Sequence, residues 1–284
     1  MRYIFVGNRK FVLEEMLQHK LLISQVFVIA NTHLAKNIKD LNIPYKLIQS
    51  KNQLLNALAL VDFDILVSNG CPYVLPIDEA SKKKYINIHP SYLPDLKGID
   101  PVIGSILFRR NAGATCHVMN NIIDGGDIIS QVKIPYSADL DVSLLYQLSF
   151  VAEKQVFTKA LKRNFLPLEK QKESSNLIYY SRCSEDRIIT FREGNQELIS
   201  KIKAFNNKSQ GCAFHYRGKE YKVFDIKILD NEYLRQYTLK FDNYQIVFVY
   251  EDCIVFKKNK EVIQCFRVFG ELSCINVGTY INEY

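Results

Sequence analysis

In roughly the first 165 residues, short apolar runs alternate with segments of helical period, and this pattern leaves few folds open. Residues 3–6, 26–30, 45–48, 64–67, 85–89, 114–119 and 128–134 read as strands, rich in Ile, Val and Phe. Between them, Phe11, Val12, Glu15, Met16 and Leu17 open a helix, and residues 53–60 form another. Leu75-Pro76 begins a short one that Lys82-Lys83-Lys84 ends. Asp100-Pro101 reads as a cap and first-turn pair, with Val102, Ile103, Ile106 and Leu107 at helical spacing behind it. From Asp141 to about Asn164 a long amphipathic helix is expected, with Leu144, Leu145, Leu148, Val151 and Ala152 on its apolar stripe. Alternating βα units imply an α/β fold: a Rossmann-like, mostly parallel sheet with helices on both faces.

Beyond Pro167 the chain turns polar, through Glu169-Lys170-Gln171-Lys172-Glu173-Ser174-Ser175, and reads as a connector over about 166–184. One further helix is expected around Leu198, Ile199, Ile202 and Phe205. The remainder is strand-like, with a hairpin turn at Arg217-Gly218-Lys219. The expected organisation is therefore a domain over 1–184 and a small, mainly antiparallel β domain over 185–284.

The N-terminal run Met1-Arg2-Tyr3-Ile4-Phe5-Val6-Gly7 reads as a first strand rather than a signal peptide, and no apolar run approaches the ~20 residues of a membrane helix. A cytoplasmic protein without a membrane partner is expected. The seven cysteines are dispersed and lack C-x-x-C spacing, so neither a disulfide framework nor a metal site is expected. The formal charge is +7, yet residues 191–284 carry 14 Lys/Arg against 12 Asp/Glu. That balance suits an anionic small molecule better than a nucleic acid. The Gly7-Asn8-Arg9-Lys10 corner, between a strand and a helix start, is suited to anions but lacks G-x-G-x-x-G and P-loop spacing.

The chemistry-bearing stretch is 86–131. Asn87 and His89 lie two apart in a strand that Pro90 ends, so both side chains leave the same face. Asp124 follows on a glycine-bearing loop, Asp124-Gly125-Gly126-Asp127. An amide donor, an imidazole and an acid are the groups that acyl transfer needs. His117, Ser91 and Thr115 read as supporting groups.

Asn87-Ile88-His89-Pro90-Ser91-Tyr92-Leu93-Pro94, then Gly98, Gly113-Ala114-Thr115-Cys116-His117 and Asp124-Gly125-Gly126, occur in the order and spacing of the folate-dependent formyltransferase family. Over roughly 1–165 the chain resembles that family. Residues 185–226 resemble the start of the C-terminal domain in methionyl-tRNA formyltransferase and nucleotide-sugar N-formyltransferases. The resemblance implies transfer of a formyl group from N10-formyltetrahydrofolate to an amine, with Asn87, His89 and Asp124 catalytic. It implies cofactor contacts from Tyr73, Val74, Leu75, Asp124 and Gly125. Asn8, Arg9, Lys10 and Lys97 are candidates to meet a substrate diphosphate. Lys97 stands where tRNA and many sugar formyltransferases carry Arg and glycinamide ribonucleotide transformylases often carry Lys, so it does not decide the acceptor. The favoured acceptor is a dTDP-linked 4-amino or 3-amino dideoxy sugar, with GDP- or UDP-linked sugars possible, and a homodimer is expected. The alternatives are methionyl-tRNA formyltransferase and a catalytically inactive relative that binds nucleotide sugars or RNA.

Overall fold

Seven strands build the first sheet of the computed structural model: β1 (Arg2–Gly7), β2 (Leu22–Ile29), β3 (Lys46–Ile48), β4 (Ile65–Asn69), β5 (Lys84–His89), β6 (Ala112–Val118) and β7 (Ile128–Ile134). Their spatial order is β3-β2-β1-β4-β5-β6-β7. The strands from β3 to β5 pair in parallel, whereas β5 with β6 and β6 with β7 pair antiparallel. The structure describes residues 1–77, 81–172, 174–208 and 210–283.

Strand periodicity explains why both faces are covered. Tyr3 and Phe5 of β1 enter one apolar cluster, and Ile4 and Val6 enter the other. The helices α1 (Lys10–Gln18), α2 (His33–Asn37), α3 (Lys51–Leu58), α4 (Pro101–Leu107) and α5 (Val142–Lys162) lie between or after the strands. Local chemistry starts three of them. Thr32 accepts from the Ala35 N–H and Ser50 from the Gln53 N–H, both at 3.3 Å, and Asp141 accepts from the Leu144 N–H at 2.8 Å. Beyond β1 the chain crosses to β2 and β3 on one side, then returns to lay β4 on the other. The carboxyl ends of β1 and β4, at Gly7 and Asn69, thus flank a topological switch point, where open α/β sheets form their ligand crevice.

Several expectations need correction. The short α2 has too few apolar repeats to show as a periodic pattern. Leu75–Ile77 are irregular and Lys84 already belongs to β5, while the middle of the helix expected there lies outside the described residues. The long helix α5 forms, but on another stripe. Leu145, Ser149, Ala152, Glu153, Val156, Phe157 and Ala160 are buried, whereas Leu144, Leu148 and Val151 are exposed. The phase with most leucines lost because the buried phase includes two polar residues that a pattern reading penalises.

Contacts divide the chain into two compact units. One holds Met1–Val102, Asn111–Pro135 and Tyr146–Ser181; the other holds Ile103–Arg110, Tyr136–Leu145 and Arg182–Tyr284. The second contains α6 (Asn195–Ala204), β8 (Cys212–Tyr216), β9 (Lys219–Leu229), α7 (Glu232–Tyr237), β10 (Ile246–Tyr250), β11 (Cys253–Lys258) and β12 (Glu261–Phe269). Its strands form an antiparallel sheet in the order β10-β11-β12-β9-β8. Arg217 and Gly218, both at positive φ, make the tight turn between β8 and β9. Phe191 packs edge-on against Phe214 and Phe256 at 5.0 and 5.1 Å in its core. The strand-only reading fails at α7, which Asn231 caps by accepting from the Leu234 N–H. Among the described residues no helix is long and apolar enough to cross a membrane.

The two faces of α5 give the first prediction. Phe157→Ala, at a fully buried site, should cost ~3–5 kcal/mol. Val151→Ala, half-exposed, should stay within about 0.5 kcal/mol. Urea denaturation of both variants checks this, and equal losses would refute the observed face.

Candidate active site

Cross-strand register assembles the polar groups. In the β5–β6 pair, Asn87 lies opposite His117 and His89 opposite Thr115. One residue between Asn87 and His89, and one between Thr115 and His117, therefore place all four side chains as two facing pairs. Asn87 Nδ2 stands 3.1 Å from His117 Nε2 and 3.4 Å from Asp124 Oδ1. His89 Nδ1 is 3.5 Å from Asp124 Oδ1, and His117 Nε2 is 3.7 Å from the same oxygen.

Carbonyl oxygens can only accept, and this assigns both tautomers. His89 Nε2 lies 3.0 Å from the Leu96 carbonyl, so Nε2 carries the proton and Nδ1, facing Asp124, is the free base. His117 Nδ1 lies 2.9 Å from the Val118 carbonyl, so its Nε2 accepts from the Asn87 amide. His117 thus orients the carboxamide with its NH₂ toward Asp124.

The loop after β5 is held to supply that Leu96 carbonyl. Thr115 Oγ1 donates to the Ser91 carbonyl and accepts from the Leu93 N–H and from Gln131, while Ser91 Oγ donates to the Asp95 carbonyl. Two glycines are required by close approach. Gly98, at φ +108, donates its N–H to Asp124 Oδ2 at 3.2 Å. A Cβ on Gly126 would stand 1.8 Å from the Val118 carbonyl.

Burial sets the electrostatics. It pushes the His89 imidazole below its ordinary value, outweighing the upward pull of Asp124 and the Leu96 carbonyl; His117 and Arg9 add to the fall. Burial also pushes the Asp124 carboxyl up, but His89, His117 and the Gly98 N–H outweigh it and bring it down to about 2. At neutral pH the site therefore holds a neutral imidazole beside a carboxylate. A proton arriving at Nδ1 meets that anion, and the amide can donate to a developing negative charge.

The corner after β1 is arranged differently from a simple anion cradle. Arg9 turns inward to pair with Glu153, a fully buried carboxylate on α5, and its guanidinium lies over the Phe150 ring. Asn69 Nδ2 donates to Glu153 at 3.1 Å and Ser149 Oγ donates at 3.4 Å. Burial raises the Glu153 pKa, opposed by Arg9, Asn69 and Ser149. Lys10 pairs with Glu14 at 3.4 Å. The Asn8 side chain lies against Gly70, where an added Cβ would meet its Oδ1 at 2.1 Å. Tyr73 is half-buried, Val74 exposed and Leu75 buried, on the loop that follows β4. Gly125 adjoins Asp124, and Lys97 is half-buried beside Gly98.

Sequence reasoning missed Glu153, which looks like one more surface charge unless the correct phase of α5 is known. It also missed the Leu96 carbonyl, because backbone groups leave no trace in residue type. A cavity of about 560 Å³ in the second unit sets Arg109, Arg192 and Lys258 against Glu193, Glu197 and Glu261. Its charges balance, and it holds none of the convergent groups described above. The seven cysteines are free, and among the described residues no cluster of metal-ligating side chains occurs.

The formyl transferase family profile matches residues 16–161, and that for the formyl transferase C-terminal domain matches residues 183–264. The chain is 26% identical over 264 residues to methionyl-tRNA formyltransferase of Orientia tsutsugamushi, covering 86% of each. It is similar to a sugar 3-N-formyl transferase crystallised with dTDP and 5-N-formyl-THF. There the TM-score is 0.70 and the identity 21%, over 93% of this chain and 96% of that one. It is also similar to an N-formyltransferase from Helicobacter canadensis in complex with folinic acid and dTDP-3-aminofucose. There the TM-score is 0.69 and the identity 19%, over 93% and 98%. At such identities the structural likeness concerns the fold.

Removing the Arg9 guanidinium would leave a buried carboxylate unpaired. Arg9→Met should therefore destabilise the protein by ~3–5 kcal/mol near neutral pH. The loss should shrink as the pH falls and Glu153 takes up a proton. Denaturation at two pH values measures both effects; a loss that is independent of pH would contradict the pairing.

Proposed function

The chain belongs to the formyl transferase family, and on that premise we propose that it transfers a formyl group from N10-formyltetrahydrofolate to the amine of a nucleotide-linked amino-dideoxy sugar. The observation that carries the reading is the convergence of Asn87, His89 and Asp124 at the carboxyl end of β5, with His89 neutral and its Nδ1 free. When bound, N10-formyltetrahydrofolate supplies an activated formyl group. The donor set fits that chemistry: one amide donor, one free base and one anion, with no metal required. Tyr73, Val74, Leu75, Asp124 and Gly125 would hold it.

In this reading Asn87 offers the N–H whose bond to Asp124 is the longer one, at 3.4 Å, to the oxygen on which charge develops. One such donor in a dry site contributes roughly 3 kcal/mol. His89 Nδ1 takes the proton that the attacking amine must shed, Asp124 stabilises the imidazolium so formed, and that proton would pass to the folate N10 as the formyl C–N10 bond breaks and tetrahydrofolate leaves. Asn8, Lys10 and Lys97 would meet the acceptor's diphosphate, with Arg9 acting beside them through its pair with Glu153.

Two observations support a small acceptor. The catalytic groups adjoin the switch-point crevice at Gly7 and Asn69. In the second unit, Arg217, Lys219, Arg235 and Arg267 are each paired with a carboxylate, so they are poorly placed to neutralise a nucleic-acid backbone. A dTDP-linked 4-amino or 3-amino sugar is the favoured acceptor, in a cytoplasmic homodimer whose product would feed cell-surface polysaccharide assembly. The second reading, methionyl-tRNA formyltransferase, is favoured by the Orientia relative, which aligns over 86% of both chains.

Mass analysis separates the two readings. The protein, N10-formyltetrahydrofolate and a panel of TDP-, GDP- and UDP-amino sugars should yield one sugar heavier by a formyl group, and charged initiator tRNA should remain unmodified. Formylation of the tRNA alone would reverse the choice. His89→Asn should lower the rate roughly 10²–10⁴-fold; a wild-type rate would remove His89 from the mechanism. Because burial lowers the His89 pKa, the acid limb of kcat should fall below the ~6.5 of an ordinary histidine. A limb at or above that value would contradict the neutral, buried imidazole.

A further inference from the structure

The stretch after α5, polar enough in sequence to pass for a free connector, returns along the first unit and reaches both partners of His89. The Leu168 N–H and the Glu169 N–H and carbonyl pair with Ile128 at the start of β7. Farther on, Ile178 and Tyr180 exchange three backbone bonds with Lys97 and Asp100, and the Ile178 N–H donates to Asp95 Oδ1 at 2.9 Å. Those bonds brace the turn whose Leu96 carbonyl holds His89 Nε2. Between the two anchor points stands Gln171. Its Nε2 donates to the Asp124 carbonyl and to the Gly126 carbonyl, each at 2.8 Å.

Three features distinguish this contact from an ordinary surface bond. Asp124 sits at φ +50, a left-handed conformation less costly for aspartate than for most side chains but still one that favours glycine. Both Gln171 hydrogens are used on the two carbonyls flanking Gly125, and its own Oε1 is buried without a partner among the described residues. An unpaired buried acceptor is costly, so the side chain is stationed there for its two donors. Finally, the loop it spans carries the carboxylate that faces His89 Nδ1 at 3.5 Å.

We propose that Gln171 is a positioning residue of the reaction: by clamping the Asp124 and Gly126 carbonyls with one amide group, it holds the Asp124 carboxylate against His89 Nδ1. The inference rests on the reading of His89 as proton acceptor given above. The groups that face His89 electrostatically are Asp124, His117 and Arg9, and Asp124 is the one anion among them. Retreat of Asp124 removes the main upward pull on the imidazole and lowers its pKa further. A residue that served folding alone would change stability and leave this titration in place.

The test compares wild type with Gln171→Met, which keeps the length of the side chain and loses both donors. The His89 titration is followed by NMR of ¹³Cε1-labelled histidines in the substrate-free protein, with the signal assigned by its absence in His89→Asn. Gln171→Met should move that titration to lower pH, and the acid limb of kcat should move with it. Misplacing the carboxylate should also lower kcat roughly 10–100-fold with little change in KM. Gln171→Ala, which asks the loop to accommodate nothing new, should shift the titration in the same direction. An unchanged titration, or a crystal structure of Gln171→Met that keeps Asp124 at 3.5 Å from His89, overturns the clamp. If the wild type formylates no acceptor, the functional reading fails by itself, and the titration and the structure still decide the role of Gln171.

Discussion

One carboxylate carries the convergence of this structure. Asp124 is largely buried, and a buried charge must be answered by donors or by an opposite charge. Here the answers come from the Asn87 amide on β5 and the Gly98 N–H in the turn beyond it, while the imidazoles of His89 and His117, on β5 and β6, face the same carboxylate. Each of these groups is fixed by something else. Leu96 sets the tautomer of His89, Val118 that of His117, and His117 the orientation of Asn87. The acid, the base and the amide therefore form one unit, and a change in any one alters the protonation or orientation of the others.

A second buried carboxylate performs structural work of the same kind. Glu153 joins α5 to the start of α1 through Arg9 and to the end of β4 through Asn69. It stands where the sheet changes direction, so the switch point is tied by an ion pair and hydrogen bonds rather than by apolar packing alone. Asn69 keeps a buried Oδ1 that has no partner among the described residues, an unmet acceptor at that same position. Such a network is costly to break, because removal of one member strands the rest in a medium of low dielectric. It also accounts for the inward turn of Arg9, a residue whose place in the sequence suggests a contact with anions from outside.

Much of this is legible in the amino-acid sequence. The βα alternation implied the sheet, because strands buried on both faces must be apolar over most of their length, as Tyr3–Val6 of β1 and Ile65–Val67 of β4 are. The second unit was legible as antiparallel from its hairpin turn and short strands. Asn87-x-His89, Thr115-x-His117 and Asp124 with its glycines were recognisable as a set through the family resemblance, and strand periodicity placed Asn87 and His89 on one face. What remained illegible depended on phase or on backbone. The buried stripe of α5 could be chosen only once its neighbours were known. The stretch after α5 reads as a polar connector, and nothing in its composition says that the main chain of Leu168 and Glu169 bonds the start of β7 and that of Ile178 and Tyr180 the turn after β5.

The sequence by itself determined the fold class and set Asn87 and His89 on one face of a strand, since these follow from residue type and from strand periodicity; only the β5–β6 register placed them opposite His117 and Thr115. The tertiary structure decided which nitrogen of His89 is free, which way the Asn87 amide points, where Arg9 spends its charge and what holds Asp124 in a left-handed conformation. The reason is physical. Tautomers, amide orientations and backbone strain are set by backbone carbonyls and buried partners, and these acquire positions only when distant segments have packed against one another.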